Sequence, residues 1–333
     1  MAGVKALRKI QMGKETTAGT AVVATAIWRG MGTIEDQRET GRAEEDVGIL
    51  MAPARIYASR YQAGLELEAV PATFEQLPYI LEMGVKAIWT GATADAGSGK
   101  VYLYTAPTTV QNTIQTLTIE GGDNQQAEEM EFCFARSFAL AGKPGEPWKM
   151  SASLVGRQVA TTTYTTGISI PTVEEILFSK STLYINTAGS IGTTSKSQTL
   201  LAAELNVEDT GLVPVYTADG QLYFSFQKGL AAKATLQITF EHDSTAVAEI
   251  AAWRALTERA IRILTTGNAL ATTGTTHATK KLIIDCYGQW EKFDKIGEQD
   301  GNDIVTGTFR IGYIASAAKA LEITVVNELA NLT

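Results

Sequence analysis

The 333-residue chain has two histidines and two cysteines, a scarcity that removes most catalytic and metal-binding readings. His242 ends an alternating run and His277 sits in a loop of small residues. Neither has the Ser or Cys neighbourhood of an activated nucleophile. There is no Cys-x-x-Cys, so a zinc site has no ligand pair to start from. Cys133 and Cys286 lie inside apolar stretches and read as buried thiols, not as a disulfide framework. No Gly-x-Gly-x-x-Gly opens a helix after a strand, and no glycine loop ends in Gly-Lys-Ser/Thr. Glu298, Asp300 and Asp303 lack the full calcium-loop ligand set and fit a tight hairpin turn better. No catalytic, cofactor-binding or metal residue is nominated.

Long apolar runs are also missing, and no stretch could span a bilayer. The opening residues, MAGVKALRKIQMGKE, carry basic side chains but no apolar core, so no secretion signal is expected there. Positive charge is in short supply. A net charge of −8 argues against a surface built to grip nucleic acid, while permitting one that lets nucleic acid pass. The long loops hold almost no aromatics, which disfavours a carbohydrate-binding module on a virion surface. The hydrophobic fraction of 45% is ordinary for a globular chain, and the length has room for two domains.

What is present is a repeated pattern. In 65–89, Leu65 and Leu67 alternate with Glu66 and Glu68, the period of a half-buried strand. Thr73 suits a helix N-cap, and Phe74, Leu77, Leu81, Val85 and Ile88 fall on one helical face. Pro78 must sit in the first turn or bend the helix. In 236–263, Leu236, Ile238 and Phe240 alternate with Gln237, Thr239 and Glu241. Asp243, Ser244 and Thr245 suit an N-cap, and Val247, Ile250, Trp253, Leu256, Ala260 and Ile263 make an apolar stripe. The strands lie 171 residues apart and the helices 173. Glu35-Asp36 matches Glu208-Asp209, and Cys133 matches Cys286, at offsets of 173 and 153. This order predicts an internal duplication, with two unrelated α+β domains as the alternative.

The remainder is laid out around these units. Residues 1–26, small and Thr-rich, form an extended arm or a disordered tail. Residues 35–54 are a long charged connection with an apolar tip, Val47, Ile49, Leu50 and Met51. That tip either docks on a partner or folds back over its own domain. The Thr-rich stretch 161–172 is a linker. The expected fold is mainly β (α+β): an arm at 1–26, a domain at 27–160, the linker, and a second domain at 173–333.

Gly13-Lys14-Glu15-Thr16, Gly19-Thr20, Ala24-Thr25, Trp28-Arg29, Gly32 and Glu35-Asp36 before a long loop, then the strand-helix unit and the turn at Asp300-Gly301, together resemble the tail tube proteins of long-tailed, siphovirus-type bacteriophages. The resemblance implies two tandem β-sandwich or barrel domains, each with one flanking α-helix. It implies rings whose inner strands join into one barrel, and rings stacked into a tube through which double-stranded DNA leaves the virion. A duplicated chain is then expected to build a trimeric pseudo-hexameric ring, with a hexamer as the alternative. The implied partners are sister chains, tape-measure protein and tail terminator or tip proteins, with no membrane and no cofactor. Assembly is expected in the bacterial host cytoplasm. The loop 35–54 would reach a neighbouring ring. Glu66, Glu68, Glu120, Glu131, Asp285 and Glu291 are candidates to line the bore, each with an ordinary solvated face as the alternative. The tube of a contractile or type VI-like injection system is a further alternative.

Overall fold

Alternating apolar and polar side chains set the strands, and small or polar breaks separate them. The structure is a computed structural model that describes residues 2–51 and 54–332, so two residues of the predicted 35–54 connection lie outside the described residues. The first half runs β1 (Lys9–Lys14), β2 (Ala26–Trp28), β3 (Ile34–Asp36), a hairpin of β4 (Glu39–Arg42) and β5 (Ile56–Arg60), and β6 (Ala63–Pro71). Then come α1 (Leu77–Gly84), the short β7 (Ala92–Thr93), β8 (Lys100–Thr105), β9 (Leu117–Gly122), β10 (Ala127–Gly142), β11 (Lys149–Gly156) and β12 (Val159–Thr162). The second half runs β13 (Ser181–Thr187), β14 (Ser195–Lys196), β15 (Leu200–Asp209), a hairpin of β16 (Leu212–Val215) and β17 (Phe226–Gly229), and β18 (Lys233–Glu241). It continues through α2 (Ser244–Arg254), β19 (Arg259–Ala269), β20 (Thr279–Phe293), β21 (Gly297–Gln299), β22 (Asn302–Ile311) and β23 (Leu321–Asn327). The protein is mainly β, and all strand pairs are antiparallel.

The two halves repeat one pairing scheme. In the first, β1 pairs β9, β9 pairs β10, β10 pairs β11, β11 pairs β6 and β6 pairs β3. In the second, β13, β19, β20, β22, β18 and β15 pair in the same succession. Registers agree residue by residue. The row Ile34–Leu65–Leu154 becomes Leu205–Leu236–Phe309. The row Met12–Ile119–Met130–Val159 becomes Ile185–Ile261–Cys286–Leu321. A register shift falls between Ala135 and Ser137 in β10 and between Trp290 and Lys292 in β20, the same place in each half.

Two residue matches expected from the sequence are corrected by these registers. Glu35-Asp36 aligns with Asn206-Val207, not Glu208-Asp209, and Cys133 aligns with Gly288, not Cys286. Both errors are slips of two, which keep every side chain on its face and so leave the alternating pattern unchanged.

The long strands β10 and β20 each serve two sheets. Their N-terminal halves pair with β9 and β12 or with β19 and β23, and their C-terminal halves with β11 or β22. At the crossing Phe132 takes φ +54° and Gly288 φ +156°. A Cβ on Gly288 would lie 2.0 Å from the Arg310 carbonyl oxygen, so only glycine fits there.

The halves are joined strand to strand. Phe138–Gly142 of β10 pairs with Ala203–Val207 of β15, and β23 pairs with β8. One sheet therefore runs β3-β6-β11-β10-β15-β18-β22-β20 through both halves. Its inner face carries the row Val70–Met150–Leu140–Leu205–Leu236–Phe309–Trp290, all buried. Each large apolar side chain in such a row contributes roughly 1.5–3 kcal/mol by burial. The strands wrap into a barrel-like body, yet following the pairings never returns to the starting strand.

Several local expectations change. The stretch 1–26 contributes β1, whose Ile10 and Met12 are buried between β2 and β9. The stretch 161–172 is tied down: the Tyr164 hydroxyl donates to the Lys9 carbonyl and the Thr165 N–H to Glu120. Thr73 Oγ1 accepts the Gln76 N–H, Pro78 sits in the first turn, and every residue of α1 is buried. Asp243 caps α2 by accepting the Ala246 N–H at 2.9 Å. That helix ends at Arg254, short of the expected stripe, and Ala260 and Ile263 belong to β19. Its inward face is Ala246, Glu249 and Ala252, while Val247 and Leu256 are exposed. The reason is Glu249, which accepts from Trp290 Nε1 and Arg259 Nε, each at 2.9 Å, and so turns the helix.

Candidate functional site

The face of the eight-strand sheet opposite the core is open, and its side chains are small or polar. One row reads Lys149–Ala141–Glu204–Gln237–Thr308–Lys292, the next Ser151–Ala139–Asn206–Thr235–Arg310–Gln289. Neither row holds a large apolar group, so the face has little to dock and no cluster of one charge. Glu66 lies opposite Ser153 on this face and accepts its hydroxyl hydrogen bond. Glu68 and Glu291 are also exposed, with Arg310 Nη1 3.7 Å from the Glu291 carboxylate.

Of the other three carboxylates expected to line a bore, Glu120 and Asp285 are buried and Glu131 is half-buried. Glu120 is buried and accepts from Thr165 N at 2.8 Å, from Thr165 Oγ1 and from Ala24 N. Asp285 is buried and bound by Arg262 through two 2.6 Å hydrogen bonds. Burial pushes its carboxyl up, against the pull of Arg262, and the Asp285 hydrogen bond holds the guanidinium above its ordinary value. Glu131 is partly buried at the β10 crossing, raised by burial and opposed by Arg157. The correction has one cause. In β9, and in the N-terminal halves of β10 and β20, both faces are covered, so alternation no longer separates wet from dry positions.

Two residues missed by that pattern hold the local structure. Glu15 is buried and accepts from Gly19 N, Thr116 Oγ1, Thr118 Oγ1 and Phe132 N at 2.7–3.0 Å. It clamps the loop after β1 to β9 and to the β10 crossing, which gives the Gly13-Lys14-Glu15 segment a structural role. Arg157 donates to the carbonyls of Gly19, Phe224 and Ser225 and lies over the rings of Phe132, Tyr223 and Phe224. The spacing of Glu15 before Gly19 carried a signal for the first of these, and nothing near Arg157 did so for the second.

The connection 35–54 is the β4–β5 hairpin, and the described part of its tip is exposed: Ile49 by 68%, Met51 by 79% and Leu50 completely. Val47 is exposed as well. The tip touches none of the apolar core clusters. At the far end, the two-residue turn Asp300-Gly301 joins β21 to β22 with both residues at positive φ, as a twisted hairpin requires. Among the described residues, no three His, Cys, Asp or Glu side chains cluster to hold a metal, and no helix is long and apolar enough to cross a membrane.

The chain thus presents a wide polar sheet face, strand edges with no partner strand among the described residues, and an exposed apolar hairpin tip. The sequence matches the phage tail tube protein family over residues 6–318, and the chain belongs to that family. It is therefore a structural protein of the virion tail. No curated protein matches the chain.

Proposed function

We propose that this chain is the ring-building subunit of a phage tail tube, made of two tandem tail-tube-like domains, the first running from β1 to residue 160 rather than starting at 27 and the second at 173–333, and that it does no chemistry. The observation that carries this reading is the sheet that passes through both halves and stops at an unpaired edge on each side, β3 and the C-terminal half of β20. Exposed edges are an aggregation hazard that closure into a ring removes. Three chains give a pseudo-six-fold ring of twenty-four strands. At a strand spacing of about 4.8 Å the bore is wide enough for a DNA duplex.

The open face becomes the bore. Its hydroxyls, small side chains and charges of both signs offer phosphates no cluster of cations to bind, and the net charge of −8 per chain adds repulsion. Of the six expected carboxylates, Glu66, Glu68 and Glu291 are exposed and would contribute beside Glu204. The β4–β5 tip reaches the adjacent ring, and tape-measure and terminator or tip proteins fill and end the tube. Subunits assemble in the bacterial cytoplasm. The test is the mass and image of the purified protein at high concentration. Rings of three chains of 35.7 kDa that stack into tubes are expected. Dispersed monomers at every concentration would refute the reading, and rings of six chains would refute the trimer. Replacing Glu66, Glu68 and Glu291 together with Lys should slow DNA release, and unchanged release would remove them from the bore.

A further inference from the structure

The repeat carries more than a subunit count, because one of the two junctions that each two-repeat chain contributes is already formed inside it. β15 of the second half lies on the edge of β10, with Phe138–Gly142 facing Val207–Ala203. The registers on either side identify the matching residues of the other junction. Phe138 corresponds to Phe293, since Ala152 faces the one and Gly307 the other, at matched positions of β11 and β22. Leu205 corresponds to Ile34, since Leu236 faces the one and Leu65 the other. Among the described residues no strand covers either edge, and the one bond on the β20 side comes from Trp253 Nε1, which donates to the Glu291 carbonyl at 3.0 Å just outside the stretch 293–297. The C-terminal half of β20 pairs only with β22, and β3 pairs only with β6. Gly297 matches Ala141, since Ile304 faces the one and Lys149 the other, and Ile296, 57% exposed, lies in the one-residue irregularity just before it.

We infer that the occupant of the free β20 edge is β3 of a second copy of this chain, antiparallel, with Phe293 opposite Asp36, Asp294 opposite Glu35 and, past a one-residue irregularity, Gly297 opposite Thr33. This rests on the tube-subunit reading and specifies the seam that reading leaves open. The seam has a built-in tension. Asp294 and Glu35 are like charges directly opposite, which disfavours pairing. Lys292 sits diagonally to Glu35 and 3.3 Å from Asp294, so it offsets the repulsion. Rings are accordingly expected to close less readily when Lys292 is removed.

The test is disulfide trapping of the assembled full-length protein. Directly opposite residues in an antiparallel pair have the separation a disulfide needs. The native Cys133 and Cys286 are fully buried and do not compete. The Glu35→Cys/Asp294→Cys variant should link into closed three-chain species on oxidation, only in ring-containing fractions. The Asp36→Cys/Asp294→Cys variant is one residue out of register and points its thiols to opposite faces, so it should link at least tenfold less. Thr33→Cys/Gly297→Cys tests the same register while keeping the seam charges, in case loss of Glu35 and Asp294 disturbs assembly. Visible rings in which neither in-register pair links, or in which the off-register pair links as well, would overturn the seam and leave the tube reading standing. Absence of rings in the unmodified protein would overturn both. Closed six-chain species would uphold the seam and overturn the trimer.

Discussion

The hairpins β4–β5 and β16–β17 occupy the same place in the repeat and end in opposite ways. The second folds down onto the first half. Phe224 is buried against Phe132, Phe134 and Tyr216, and Arg157 grips its backbone. The first projects, with Leu50 wholly exposed. The reason lies in what each would land on. The positions of the second half that match Phe134, Val155 and Arg157 are Gln289, Arg310 and Gly312, which offer neither an aromatic pocket nor a guanidinium anchor. The repeated pairing scheme thus holds two versions of the same element, one packed between the halves and one exposed.

The largest test of that contrast is a pair of truncations. Phe224→Ala should lower unfolding stability by about 3–5 kcal/mol, the usual cost of emptying a buried aromatic site. Leu50→Ala should change it by less than about 0.5 kcal/mol in denaturant melts, yet reduce the stacking of rings into tubes. Equal losses from both would end the distinction. Next, Arg157→Ala should cost about 1–3 kcal/mol, because it strips donors from three partly buried carbonyls. Hydrogen exchange should then quicken in β16–β17 and not in β4–β5.

The helices allow a finer comparison. Glu82 in α1 is buried and accepts from Ile88 N, Trp89 N and the Tyr104 hydroxyl at 2.7–3.0 Å. Burial raises its pKa above 4.5, with the two backbone hydrogen bonds opposing. The folded chain therefore holds this proton more tightly than the unfolded chain. The stability it contributes is full below 4.5 and is lost as pH rises through the folded value. Melting profiles of Glu82→Gln against the native protein should differ most across that window, with the variant less dependent on pH; parallel profiles would refute the assignment. The smallest effect is expected at Val247→Lys on the outward face of α2, within about 0.5 kcal/mol of the native protein in the same melts. A large loss there would mean that the face is covered.

Much of this architecture was legible in the residues. The strand-helix units, the Asp243 cap, the Asp300-Gly301 turn and the order of the duplication follow from local rules that need no tertiary context. What was hidden depended on packing. Period-two alternation places Glu120 and Asp285 outward, but a strand covered on both faces has no outward side. The apolar spacing in α2 nominated Val247 and Leu256, but a carboxylate fixed to Trp290 and Arg259 outweighed it. The strand in the first 26 residues escaped because its pattern is short and its partners, β2 and β9, lie partly far along the chain.

The β10–β15 contact has a kinetic consequence. It is made within one covalent chain, so dilution cannot part its members, and its effective concentration is of millimolar order or higher. On the proposed seam, the free edges of β3 and β20 have no such tether and would have to meet by diffusion. A solution of the protein would then hold half of every seam set permanently closed and the other half under the control of concentration, which would make growth sharply dependent on supply and shorten the list of collisions needed to begin it.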